Sequence, residues 1–488
     1  MLYCGQYPHP YTRFTLMSQK IPTQDRSPDP VKVNPTEEFE LYAKRKKIHP
    51  RTIKGIFQSI RNVTMAGMLL AYFALPWVMW KGHQALLFDL PHRQFNIFGF
   101  SFAPQDFFFL SWMLIMGAFG LFVVTVFAGR VFCGYVCPQT TWTRVFMWIE
   151  KITEGERNAR IKLDKADLSA GKIGRRLAKH TLWMLVAFAT GFSFVGYFTP
   201  IRDLAWDFTN GSLDVWGYFF IGLFTVFTYM NAGWLREQVC FYMCPYGRFQ
   251  SVMFDKDTLI ISYDHERGEP RGALKQSTAE NPLGDCVDCS LCVQVCPTGI
   301  DIRDGLQFQC IQCAACVDAC DSVMDKLNKP RGLVRYTTEH ILEEHKPYHW
   351  MRPRLIGYTT VFLAVFVLFV YALATRVPLT VEALRDRSSM YRESSEGLIE
   401  NAYTLRILNK AQVPYTYQVS VESNDDIKLL PVPGVVVKPG EVVSVPVTLQ
   451  ANPAELHKSK YEVEFKVEAV NASDISKETK TVFLAPHS

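Results

Sequence analysis

The chain has 488 residues, a formal charge of only +5, 48% hydrophobic and 14% aromatic content, and 13 cysteines that all fall within the first 320 positions. Its length excludes a single small binding module, and so slight a charge gives no reason to expect nucleic acid as a partner. Tight cysteine clusters in a chain this long read as metal ligation rather than as a disulfide framework.

Residues 1–55 form a polar tail, read as cytoplasmic, in which Cys4 stands alone and Met17 is a plausible natural start. Crossing a bilayer takes about 20 consecutive apolar residues. Five stretches qualify, at 60–80, 107–128, 181–199, 215–234 and 355–374, none with an acidic or basic residue beyond its first two positions, where Arg61 stands in the first. Buried helices of a large soluble protein are the bland alternative, and five such runs in one chain speak against it. Basic residues mark the cytoplasmic side of a span. Lys44, Arg45, Lys46, Lys47, Arg51 and Lys54 precede the first stretch, and the connection at 129–180 is also strongly basic. Arg331, Arg335, Lys346, Arg352 and Arg354 precede the fifth. The connections carrying Arg93 and Arg202 are nearly free of basic charge and face outward. The expectation is a protein of five spans with its N-terminus inside and its C-terminal region outside.

The second stretch runs into Cys133-Gly134-Tyr135-Val136-Cys137-Pro138, and the fourth into Cys240-Phe241-Tyr242-Met243-Cys244-Pro245, which reads as an internal repeat. Cysteines at i and i+4 of one helix would project from one face about 6 Å apart, with proline limiting continuation of the helix. Thiolates select Cu(I), zinc or iron–sulfur centres. The four cysteines are therefore candidate catalytic and metal-binding residues, and spacing leaves open copper contact, a third cluster or a disulfide. Small apolar filler is the alternative for any lone cysteine in a span. Met147, Met230 and Met243 are nearby thioethers. His83 and His180 lie at the rims rather than inside a span, which disfavours bound haem.

Residues 56–255 thus hold four spans with both Cys-x3-Cys-Pro motifs, and 256–345 hold a cysteine-rich insert. Within it run Cys286-x2-Cys289-x2-Cys292-x3-Cys296-Pro297 and Cys310-x2-Cys313-x2-Cys316-x3-Cys320. Each has the bacterial ferredoxin spacing, in which the fourth cysteine ligates the other cluster. Cys286, Cys289, Cys292 and Cys320 are assigned to one [4Fe–4S] cluster, and Cys310, Cys313, Cys316 and Cys296 to a second. Paired zinc sites are the alternative, but no ligating histidine accompanies the cysteines. The second run lacks the usual proline, having Asp321 instead.

Residues 346–378 contain the fifth span. Beyond it, short β-rich stretches at 403–408, 415–421, 435–437, 442–449, 461–470 and 480–484 predict an immunoglobulin-like β-sandwich over 379–488. No cysteine follows Cys320 and no methionine follows Met390, which excludes a cupredoxin copper site there. The fold class is an α-helical polytopic membrane protein with an inserted two-cluster ferredoxin domain and a C-terminal sandwich.

The two Cys-x3-Cys-Pro motifs, the double ferredoxin run and the C-terminal sandwich together closely resemble the cytochrome c oxidase accessory protein CcoG family, also called FixG and RdxA. Phe95-Asn96-Ile97-Phe98-Gly99, Pro104-Gln105-Asp106-Phe107, Cys320-Asp321-Ser322-Val323-Met324-Asp325 and Arg385-Asp386-Arg387 carry the same resemblance, which covers the chain from about residue 35. Ser388 departs from the asparagine usual in relatives. The resemblance implies a bacterial inner-membrane cupric reductase that converts Cu(II) to Cu(I) for insertion into a haem–copper oxidase. Its ferredoxin domain would be cytoplasmic and its C-terminal domain periplasmic. The partners implied are membrane lipid, copper ions, a cytoplasmic electron donor, and copper chaperones or oxidase assembly factors. A quinol-oxidising carrier serving a periplasmic reductase and a non-redox assembly scaffold are the competing functions. Relatives of the former typically end near the ferredoxin.

Overall fold

The computed structural model describes residues 47–80, 82–91, 93–273, 283–349, 351–422 and 426–486. Cys4, Met17, Lys44, Arg45 and Lys46, together with most of the expected tail, lie outside the described residues. The chain divides into two compact units. The first comprises Met1–Leu70, Ala118–Gly191 and Ile221–Phe362; the second comprises Ala71–Gly117, Phe192–Phe220 and Leu363–Ser488.

Among the described residues, three helices are long and apolar enough to cross a membrane: Pro104–Ala128, Val215–Leu235 and Pro353–Ala374. They match three of the five stretches read from the sequence. The other two are also helical, as Ile56–Ala74 and Ala170–Val195, but do not reach that standard. Both stop before the apolar stretch does. The first takes in Arg61 and gives way to a tight turn at Leu75–Trp77. The second spends its opening turns on Lys172, Arg175, Arg176 and Lys179. Their unbroken apolar lengths are correspondingly short.

In the first unit, strands Ile260–Tyr263 and Val334–Thr337 pair antiparallel, with Ile260 opposite Thr337 and Tyr263 opposite Val334. This ribbon closes the base of the cysteine-rich insert. Ile261, Tyr263, Ile302, Val317, Met324, Leu333 and Val334 form its core together with Cys286. A helix begins just before the third cysteine of each run, Leu291–Gln294 at Cys292 and Ala315–Lys326 at Cys316. The insert is thus a tandem of two similar halves, as their matching spacing predicts.

In the second unit, the C-terminal region builds two antiparallel sheets around one apolar core. One sheet has the order 428–429, 442–451, 399–409, 379–385, with 392–393 added beside 399–409; the other has the order 435–437, 415–422, 460–469, 472–484. Alternation places Tyr461, Val463, Phe465, Val467 and Ala469 inside. The Tyr403 ring meets that of Phe465 edge-on at 5.3 Å. Its hydroxyl donates to the carbonyl of Val482 at 2.9 Å. Strand Leu379–Arg385, which the sequence reading did not mark, pairs along 399–409. Near the membrane stretches of this unit, Asp106 is buried and bound by Arg376 (2.7 Å) and Lys410 (2.9 Å), while accepting from the Ala103 amide at 3.1 Å.

Candidate metal centres

The eight cysteines of the insert separate into two groups around two cavities. Cys286, Cys289, Cys292 and Cys320 line one. Cys310, Cys313, Cys316 and Cys296 line the other, which also includes Cys292. The electrostatics follow the same division. Cys320 feels Cys292, Cys286 and Cys289, whereas Cys310 feels Cys296 and Cys313. Cys296 thus stands beside the thiols of the second run and Cys320 beside those of the first.

Backbone conformation explains how so few residues surround a cavity. In each run the residues flanking the middle cysteine are left-handed: Asp288 and Ser290 (φ 50° and 52°) around Cys289, and Gln312 and Ala314 (φ 51° and 56°) around Cys313. Such turns direct successive N–H groups into one concavity, which favours an anionic guest. In the second run the Gln312 amide donates to the Cys310 sulfur at 3.4 Å. All these thiols are free. Burial pushes Cys292 up to about 11, and Cys310 and Cys320 up to about 12. Without metal these three thiols therefore stay protonated at neutral pH, and taking up a metal must release their protons. Soft sulfur donors, four per cavity and ringed by inward amides, fit [4Fe–4S] groups.

Cys133, Cys137, Cys240 and Cys244 also come together. Cys137, Cys133 and Cys244 each act on Cys240, and Cys137 and Cys244 act on Cys133. Burial first, then these neighbours, pushes Cys133 and Cys240 up to about 12; Arg130 pulls both back. The Cys133 thiol donates to Gln250 Oε1 at 3.5 Å.

The pairs do not lie on one face of a single helix, as the i, i+4 reading expected. Cys133 lies in a short helix, Val131–Tyr135, and Cys240 in a π-helical turn, Val239–Met243. Cys137 and Cys244 are extended residues that immediately precede new helices, Pro138–Glu154 and Pro245–Met253. Proline at the first helical position is the reason: its fixed φ starts a helix there rather than continuing the previous one. Both repeats close the same way. The Cys137 amide donates to the Phe132 carbonyl at 2.9 Å, and the Cys244 amide to the Val239 carbonyl at 2.8 Å. Four residues ahead of each first cysteine is a left-handed residue, Gly129 (φ 54°) or Arg236 (φ 48°).

The repeats also clasp each other. Gln139, one residue past the first proline, donates to the Asn231 carbonyl at 2.9 Å; Tyr246, one past the second, meets Thr125 Oγ1 at 2.8 Å. Arg236 pairs with buried Glu150 at 2.6 Å. Of the three nearby methionines, Met147 shares a cavity with Cys240, lined also by Pro297, Thr298 and Ile311. Met230 and Met243 are exposed.

This quartet abuts the second cysteine cavity. A Cβ on Gly134 would lie 2.8 Å from the Ile311 carbonyl oxygen and 2.9 Å from the Cys313 Cα, so only glycine admits that approach. Cys133 packs against Val295, Ile311, Cys313, Ala315 and Ala319. Gln312 Oε1 accepts the Arg130 amide at 2.7 Å. The Arg130 guanidinium is buried and donates to the carbonyls of Phe308 and Gly247. Arg130 acts on Cys133 and Cys240 of the quartet and on Cys310 of the insert. Arg130 counts in the sequence only toward the basic charge of the connection at 129–180, and Gln250 and Gln312 were not singled out there. The signal available for Gln312 was its place in the Cys310-x2-Cys313 spacer.

Three family profiles match the chain. A 4Fe-4S dicluster domain covers residues 235–339, a 4Fe-4S binding domain covers 110–154, and an IG-like fold at the C-terminal of FixG covers 369–486. Protein RdxB of Cereibacter sphaeroides is 41% identical over 425 residues, which is 84% of this chain and 88% of the relative. The chain belongs to the FixG, RdxA and RdxB family. Nitrogen fixation protein FixG of Rhizobium meliloti is 38% identical, over 78% of this chain and 80% of FixG. Protein RdxA of C. sphaeroides is 36% identical, over 80% of this chain and 85% of RdxA. The chain is a membrane iron–sulfur protein of redox function with an immunoglobulin-like C-terminal domain.

Proposed function

We propose that the protein is a cupric reductase of the bacterial inner membrane, reducing Cu(II) to Cu(I) for copper insertion during cytochrome c oxidase assembly. The observation that carries the reading is the contact of the Cys133, Cys137, Cys240 and Cys244 quartet with the second cysteine cavity through Gly134. When bound, [4Fe–4S] groups on Cys286, Cys289, Cys292 and Cys320 and on Cys310, Cys313, Cys316 and Cys296 supply one electron at a time, and one electron converts one Cu(II) to Cu(I). The quartet does the rest. Thiolates prefer Cu(I) to Cu(II), so four of them hold the product state of the ion more tightly than the substrate state. Arg130 offsets part of the cost of charging those sulfurs.

In the membrane, the reading has five spans, with the tail at 1–55 and the insert at 256–345 in the cytoplasm and 379–488 in the periplasm. The grouping of segments supports it: connections 129–180 and 236–352 fall in the unit that holds the insert, and 75–106 and 200–214 in the unit that holds the C-terminal domain. A cytoplasmic reductant would reload the insert, and a copper chaperone or oxidase assembly factor would take Cu(I).

A second reading is favoured by the 4Fe-4S binding profile at 110–154, whose cysteines are Cys133 and Cys137. Here the quartet holds a third [4Fe–4S] group and copper meets the protein elsewhere. Iron and acid-labile sulfide analysis separates the two, at about 8 against about 12 iron atoms per chain. Reoxidation of the anaerobically reduced protein tests the function itself. Cu(II) as the effective oxidant, with Cu(I) trapped by a chelator and the yield lost in Cys133→Ala and Cys240→Ala, supports the reductase; quinone as the sole effective oxidant overturns it.

A further inference from the structure

The ribbon at the base of the insert brings together three residues that lie far apart in sequence. Asp257 ends the turn before strand Ile260–Tyr263, and His340 lies just after strand Val334–Thr337; the pairing of Ile260 with Thr337 sets them side by side. His349 arrives on the segment leading to helix Pro353–Ala374, where Arg352 is paired with Asp255. His340 Nδ1 is 2.8 Å and His349 Nδ1 3.4 Å from the same oxygen of Asp257, and the three donor atoms lie within 4.8 Å of one another.

We infer that Asp257, His340 and His349 form a capture site for a divalent transition-metal ion, Cu(II) above all. Two imidazoles and a carboxylate are the donor set of a Cu(II) or Zn(II) site rather than of Cu(I), and Cu(II) binds such N/O sets most tightly among first-row divalent ions. Each donor is held by its surroundings. The His340 amide donates to the Lys256 carbonyl at 3.2 Å. Its other ring nitrogen faces Glu344 at 3.8 Å, the outer carboxylate that commonly orients a metal-bound histidine. Nearby cations are already engaged: Lys256 by Glu339 and Glu344, Lys346 by Glu344, and Arg352 by Asp255. Asp257 is nearly buried, whereas the His349 side chain is 52% exposed, so the site is closed beneath and open to solvent above. Asp257 is four positions before Ile261, which lines the second cysteine cavity. The chain between them spans at most about 14 Å. A nitrogen- and oxygen-donor site for Cu(II) thus lies close to the second cysteine cavity.

The choice of Cu(II) as the physiological ion rests on the reductase reading; the existence of the site does not. The test adds Cu(II) alone to the oxidised, untagged full-length protein in detergent and reads it by electron paramagnetic resonance. The expected result is a Cu(II) signal with coupling to two imidazole nitrogens. It should be reduced to one nitrogen in His349→Ala, bound on the order of 10-fold more weakly in Glu344→Gln, and unchanged in Cys133→Ala. Equal spectra and affinities in the wild type and His349→Ala would overturn the site. If the signal behaves as expected but the reduced protein leaves Cu(II) unreduced, the site stands and the reductase reading falls.

Discussion

Gly134 lies so close to Ile311 that a single added methyl group would come within 2.8 Å of the Ile311 carbonyl oxygen. That approach joins the first Cys-x3-Cys-Pro repeat to the loop carrying Cys310 and Cys313. Gly134→Ala must push the two backbones apart, at a cost of about 1–3 kcal/mol. The expected outcome is loss of the spectroscopic signature of one cluster of two, with the protein still folded and inserted. Full retention of both clusters would show that the contact is slack.

The exchange of fourth ligands gives a sharper version of the same test. Cys296→Ser should disturb the cluster on Cys310, Cys313 and Cys316, and Cys320→Ser the one on Cys286, Cys289 and Cys292. Mössbauer or electron paramagnetic resonance spectra of the two variants should therefore differ. Identical spectra would contradict the assignment.

Much of this was legible in the sequence because the ligands are written contiguously. Cys286 through Cys292 and Cys310 through Cys316 each line their cavity from one short loop, so spacing alone carries most of the geometry. The repeat around Cys133 and Cys240 was legible as text but not as shape. Pro138 and Pro245 start new helices, which places the second cysteine of each pair beyond the first helix. Asp257 and His340 were not legible, since 83 positions separate them and only strand pairing brings them together. The apolar runs at 60–80 and 181–199 marked real helices, but hydropathy did not show where Ala74 and Val195 end them.

Burial raises Cys133 and Cys240 to about 12, so below that pH the neutral thiol predominates and the reactive thiolate grows as pH rises. In metal-free protein, alkylation of these two cysteines should therefore be slow at pH 8 and quicken about tenfold per pH unit up to at least pH 11. Mass spectrometry of iodoacetamide-treated protein would follow it. A plateau near pH 9 would contradict the burial.

In the C-terminal unit, Asp106 is the sole carboxylate between Arg376 and Lys410 in the ion pairs described there. Asp106→Asn leaves two buried cations without their counter-charge, and such losses cost about 3–5 kcal/mol. Thermal denaturation and limited proteolysis should show the C-terminal domain loosened while the iron–sulfur absorbance persists. An unchanged melting curve would mean that the network contributes little.

In the proposed function, copper receives its electrons through the quartet. The direct measurement is stopped-flow absorbance of the anaerobically reduced full-length protein mixed with Cu(II) and a Cu(I) chelator. Recovery of the oxidised cluster absorbance, matched electron for electron by chelated Cu(I) and abolished in Cys133→Ala and Cys240→Ala with both insert clusters intact, is the expected result. Clusters that stay reduced in the presence of Cu(II), or recover equally fast in both variants, would contradict it.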